Sequence, residues 1–165
     1  MSRDFAEHLV TQWKVARRDL DPEPMTLVVR IMRVAALLRE RLQKVVEAHG
    51  LVVWEFDVLA TLRRNGPEGL PPKLLLCEML LSSGALTNRI DRLEEAGLVE
   101  RIPDRTDRRG TIVRLTTAGV ERVDPIVADR FEDARQIVEL LDPAESRALT
   151  DALRHLAIEF QSDPW

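Results

Sequence analysis

Residues 101–115, RIPDRTDRRGTIVRL, set Arg101, Arg105, Arg108, Arg109 and Arg114 against only Asp104 and Asp107, in a chain whose net charge is −4. Guanidinium groups grip phosphate oxygens in pairs and enter narrow A·T minor grooves. Asp107 can fix the direction of Arg109 for such an entry. Two further charges stand where helical periodicity expects apolar side chains. Arg89 lies three residues after Leu86 and four before Leu93, on the inward stripe Leu86, Ile90 and Leu93. A charge there needs a partner. Arg89 therefore either grips an anion or forms a structural ion pair with Asp57 or a nearby acid, and the two are compatible, because such a pair can be the resting form of an anion site. Asp57 sits beside Val53 and Ala60 at helical spacing in a nearly all-apolar segment. Its carboxylate must find a donor, either a packing partner or the N–H groups of a ligand.

Catalytic constellations are not found. His8, His49 and His155 fall on separate segments without metal-ligand spacing. No glycine-rich phosphate loop or nucleophile elbow is present. The single cysteine, Cys77, permits no internal disulfide, and its setting LLLCEML reads as core. Neighbouring Glu78 opposes a reactive thiolate. The expectation is a protein that is not an enzyme and uses no cofactor or metal.

The elements that must position these residues are nearly all helical. The 165 residues, 45% hydrophobic and 32% charged, suit one domain with a real core. No apolar run approaches a membrane span, and acids interrupt MSRDFAEHLV, so no signal peptide, a cytoplasmic location and no membrane partner are expected. Residues 3–18 suit a short amphipathic helix, broken by the prolines of DLDPEP at 19–24. Leu27, Ile31, Val34, Leu38, Leu42 and Val45 then mark a long amphipathic helix over 25–48, stopped at His49-Gly50. A buried helix at 52–64, the turn NGPEGLPP and a short helix PKLLLCEMLL follow. Ser82 is expected to cap SGALTNRIDRLEEAG, which ends at Gly97. Strands at about 98–102 and 111–115 flank the charged loop. Thr116 starts a long helix to about Leu141, and DPAE at 142–145 begins a last one, striped by Leu149, Leu153, Leu156 and Phe160.

Helix, short helix, helix and a two-stranded ribbon is the order of a winged helix-turn-helix, mainly α with a small β wing. In that arrangement Ser83, Gly84, Ala85, Thr87, Asn88 and Arg92 occupy the outward faces of the second helix. Small residues admit a close approach of backbone to groove, Thr87 and Asn88 suit base edges, and Arg92 suits phosphate or base. An ordinary solvated helix face explains the same residues, but the basic wing that follows, with Arg105, Asp107, Arg108 and Arg109, favours a double-stranded DNA partner.

The stretch LLSSGALTNRIDRLEEAGLVERIPDRTDRRGTIVRLT resembles the signature region of the multiple antibiotic resistance regulator (MarR) family, and the resemblance runs from about Leu27 to Phe160. It implies a homodimer with intertwined terminal helices, one recognition helix per subunit on a pseudo-palindromic operator, and repression relieved by ligand. On that reading residues 1–24 form an extra helix and linker. Residues 25–165 form the winged-helix domain, with dimerisation helices at 25–48 and 117–161 and a DNA-binding lobe at 52–115. The helix with Trp13, the phrase WEFDVLATLRR and LLSSGALTNRIDRLEEAGLVER further resemble the family's urate-responsive branch. That implies a site for urate, a related purine or another small anion formed by Trp13, Asp57, Arg89 and Arg101. Without the resemblance, Trp13 reads as a packing residue and Arg101 as solvent-facing. Two other functions fit the sequence: a redox-switched repressor using Cys77, and a winged-helix protein–protein module.

Overall fold

A computed structural model of the chain describes residues 4–79, 83–105, 107 and 110–160, the Ser83 side chain excepted. Its elements run α1 (Phe5–Ala16), α2 (Glu23–Ala48), α3 (Val53–Arg64), α4 (Pro72–Met79), α5 (Ser83–Glu95), β1 (Val99–Pro103), β2 (Thr111–Leu115), α6 (Thr117–Val138) and α7 (Pro143–Phe160). Two compact units result, residues 1–54 and 55–165.

In the first unit Asp4 caps α1, its carboxylate accepting from the Ala6 amide at 3.0 Å. Ala6 and Val10 bury one face of α1, which packs on α2. Arg30 of α2 holds both Asp4 and Glu7. The α2 helix starts at Glu23, two residues before the expected Met25, because Pro24 falls in the first turn, where a missing N–H costs nothing. It ends in a Schellman turn: Gly50 takes φ +69°, and the Gly50 and Leu51 amides bond back to Glu47 and Val46.

The core of the second unit is aliphatic. Val58, Leu59, Leu62, Leu75, Leu86, Ile90, Leu93, Val113, Val123 and Ile126 are buried. The α5 helix ends in another Schellman turn at Gly97, φ +70°, with Leu98 N–H on the Leu93 carbonyl at 2.9 Å. β1 and β2 pair antiparallel, Glu100 opposite Arg114 and Arg101 opposite Val113. The turn after α3 adds an unforeseen bridge on the free edge of β2: Leu70 and Val113 exchange both backbone hydrogen bonds, at 2.8 and 2.9 Å. Gly69 permits this, since at φ +78° a Cβ would lie 2.3 Å from the Val113 carbonyl oxygen.

Thr116 fastens α6 to the end of α5. Its hydroxyl accepts from the Gly119 amide at 3.0 Å and donates to the Gly97 carbonyl at 2.7 Å. Gly119 lies so near Leu98 that a Cβ would stand 2.0 Å from the Leu98 carbonyl oxygen. The expected capping box of α7 is present: Asp142 accepts from the Ala144 and Glu145 amides, and Glu145 accepts from the Asp142 amide. The α7 helix buries no residue within the chain.

Candidate nucleic-acid interface and effector site

The α5 helix has two faces, set by 3.6-residue periodicity. Leu86, Ile90 and Leu93 point inward, each no more than 2% exposed. Gly84, Ala85, Thr87, Asn88 and Arg92 are exposed on the other side. Ser83 opens the helix, while its expected cap, Ser82, lies outside the described residues. This outward face is small at its start, then polar, then cationic, on a sealed aliphatic base.

Beside it the wing loop closes on itself. The Asp104 amide donates to the Gly110 carbonyl at 3.0 Å, and the Gly110 amide to that of Asp107 at 2.8 Å. Asp104 also accepts from the Asp107 amide at 3.3 Å. A Cβ on Gly110 would meet that of Asp104 at 2.9 Å, so the tight loop needs glycine. Arg105 and Asp107 are exposed. Arg108 and Arg109 lie outside the described residues, and with them the expected Asp107–Arg109 pairing.

Of the four residues expected to hold an anion, Asp57 and Arg89 lie within electrostatic reach of each other. Both are half-buried, Asp57 on α3 and Arg89 toward the rear of α5. Burial raises the Asp57 pKa above the ordinary carboxylate value, and the nearby Arg89 charge partly offsets that rise. Asp57 thus carries a desolvation penalty that its neighbour does not cancel.

Arg101 is engaged elsewhere. Its guanidinium pairs with Asp91 at 2.6 Å and with Glu94, and its amide donates to Glu94 at 3.0 Å. Burial opposes its charge, but the hydrogen bonds to Asp91 and Glu94 prevail and lift its pKa. Arg101 is therefore a strut from β1 to α5 that also neutralises two acids on the reading helix. Sequence reasoning missed this role, although Asp91 and Glu94 lie one turn apart on one side of α5. Trp13 lies on α1 in the first unit, 48% exposed.

Cys77 corrects the expectation of a core residue, because it is exposed. The eight-residue α4 buries Leu75, and two residues further the helix has turned about 200°, toward solvent. Glu78 beside it is held by Arg64. Among the described residues no cluster of His, Cys, Asp or Glu could hold a metal, and no helix is long and apolar enough to cross a membrane.

A sealed helix-turn-helix core, an outward polar reading helix and a two-stranded wing define a winged-helix DNA-binding transcriptional regulator. A MarR family model matches residues 49–110. The chain is 37% identical over 142 residues to the HTH-type transcriptional regulator PecS of Dickeya dadantii (strain 3937), covering 86% of each chain. It is 27% identical over 134 residues to the HTH-type transcriptional regulator MhqR of Bacillus subtilis (strain 168), covering 81% of this chain and 91% of that one. Among solved structures, AbsC, a MarR family transcriptional regulator from Streptomyces coelicolor, matches with a TM-score of 0.75 at 25% identity, over 83% of this chain and 93% of that one. The chain belongs to the MarR family, whose members here are transcriptional regulators and not enzymes.

Proposed function

We propose that the chain is a repressor that binds a pseudo-palindromic duplex operator as a homodimer and releases it when a small planar anion, such as urate or a related purine, binds. The observation that carries this reading is the half-buried Asp57 within electrostatic reach of Arg89, on the helix whose front exposes Gly84, Ala85, Thr87, Asn88 and Arg92. An anion competing for Arg89 acts on the element that reads DNA. It also meets a carboxylate already penalised by burial, so a ligand N–H that bonds to Asp57 relieves that cost. A ligand that replaces Asp91 or Glu94 as the partner of Arg101 would loosen the strut between reading helix and wing. Trp13 enters through the family resemblance, as a ring for stacking.

Support for the dimer comes from the apolar stripes of α2 and α7. Leu27, Val34, Leu38, Leu149, Leu153 and Phe160 are all exposed in the single chain. Such faces mark an interface. Two copies related by a twofold axis would place the reading helices about one DNA turn, roughly 34 Å, apart.

The test is footprinting and anisotropy on duplexes selected from a random pool by the purified protein, with and without urate. The expected result is a near-palindromic footprint, steep salt dependence from phosphate contacts, and roughly five- to 150-fold weaker binding with saturating urate. A single asymmetric half-site, or affinity indifferent to urate, contradicts the reading.

A further inference from the structure

The second unit has a cleft of about 320 Å³ between the end of α3, the base of the wing and the first turn of α6. That is the size of a small-molecule site, which spans roughly 300–1,000 Å³. Neither Asp57 nor Arg89 lines it.

Its lining carries both charges. Arg63 and Arg114 line it, as does Glu100, while Asp124 holds Arg63. Arg63 bonds Asp124 through Nε and Nη2, at 2.6 and 3.1 Å, which leaves Nη1 uncommitted among the described residues. Arg114 bonds Glu100 through Nε alone, at 2.8 Å, which leaves both terminal nitrogens and the second Glu100 oxygen uncommitted among the described residues. Thr117, in the first turn of α6, adds a hydroxyl and the positive end of a 22-residue helix. Leu115 and Val120 supply an apolar wall.

A simple anion meets the Glu100 carboxylate here, and a simple cation meets two guanidiniums, of which Arg63 is already paired with Asp124 outside the lining. A ligand carrying both charges is complementary to the lining. We propose that this cleft is a second ligand site, for a zwitterion with α-amino-acid chemistry and a small apolar side chain. Its carboxylate takes the spare donors of Arg114 and Arg63 beside the α6 N-terminus. Its ammonium takes the free oxygen of Glu100, and its side chain rests on Leu115 and Val120. A bound ligand would tie the wing base on β2 to α3, and through Arg63 to Asp124 of α6. The site is independent of the Asp57–Arg89 reading.

The test is calorimetric titration and thermal shift of the full chain with L-leucine, with 3-methylbutanoate for the acid alone and 3-methylbutylamine for the amine alone. Leucine should bind with a Kd on the order of 1 mM or tighter, and each single-charge compound roughly tenfold more weakly or worse. Arg114→Gln and Glu100→Gln should each lose about tenfold in leucine affinity, and Arg89→Gln should lose none. Because the first two also break a cross-strand pair, Val120→Trp provides a second handle: it fills the cleft, leaves both ion pairs, and should abolish leucine binding. The proposal is overturned if leucine neither binds nor shifts the melt at about 10 mM. It is equally overturned if a single-charge compound binds as well as leucine, or if Val120→Trp binds leucine like the parent. Persistence of leucine binding in Arg89→Gln separates this site from the urate reading, whatever the fate of that reading.

Discussion

In the lobe from α3 to β2 the apolar stripes close inward, with Leu59, Leu62, Leu75, Leu86 and Leu93 no more than 1% exposed and Leu74 the exception at 51%. Along α7 the spacing is just as regular, yet Leu149, Leu153 and Phe160 are exposed and no residue of the helix is buried. The α2 helix resembles α7: Leu27, Met32 and Val34 are each more than half exposed. The same apolar periodicity therefore has two outcomes. In the lobe it closes on neighbouring helices and the sheet of the same chain. On α2 and α7 it leaves apolar area in water, at roughly 25 cal/mol per Å², unless a second copy covers it. The lobe is complete as a fold, and on the proposed palindromic operator one such helix would span only half of the site.

The sharpest way to break this contrast is to charge one open stripe. Leu149→Glu with Leu153→Glu should leave the lobe folded by circular dichroism but turn the dimer into a monomer in sedimentation, with dimer affinity and operator affinity each down by about 100-fold or more. Unchanged sedimentation would mean the stripes serve something other than self-association. Next in size is Gly119→Ala. Its methyl would meet the Leu98 carbonyl at 2.0 Å, so α6 must shift from the end of the reading helix. A loss of about 1–3 kcal/mol in denaturant melts is expected, while the dimer persists. An unaffected melt would show that the junction yields easily.

Smaller effects probe the lobe's electrostatics. Arg101→Ala removes the strut and uncovers the acids Asp91 and Glu94 on the helix proposed to meet DNA. Operator affinity should fall roughly three- to tenfold, and Asp91→Asn in the same background should restore part of it. No restoration would make Arg101 a packing residue only. The smallest expected change is in stability with pH. Asp57 has a raised pKa in the fold, so folding favours its protonated form; its stabilising contribution is present below the ordinary value of 3.8 and is lost as pH rises through the folded pKa. Asp57→Asn should therefore melt higher than the parent at pH 7, with the gap closing as pH falls toward 3.8. A lower melt at pH 7 would mean that Arg89 stabilises the carboxylate by more than its burial costs.

Much of this was legible from sequence, where local rules act alone. Leu86, Ile90 and Leu93 fixed the inward face of α5, Gly97 its end, and Asp142 with Glu145 the start of α7, because periodicity and caps need only neighbours in the chain. The inward charge of Arg89 and the lone acid Asp57 each called for a partner, and the two lie within electrostatic reach of each other. Long-range pairing stayed hidden. The bridge from Leu70 to Val113 depends on a turn folding back under Gly69. The Arg101 strut depends on the register of β1 against α5. Cys77 failed for a different reason: an eight-residue helix in an apolar run offers too few turns for periodicity to say which side faces inward.

The proposed role of Arg89 is to link an anion to the reading helix. It is tested most directly by measuring operator affinity with and without saturating urate, and urate affinity with and without operator, for the parent and for Arg89→Gln. Linkage requires both factors to be equal in the parent, and the account places them between about five- and 150-fold. In Arg89→Gln the fold and the dimer should survive and operator binding should remain, while both factors collapse to about one. An Arg89→Gln protein that still releases its operator by the parent's factor would contradict the account.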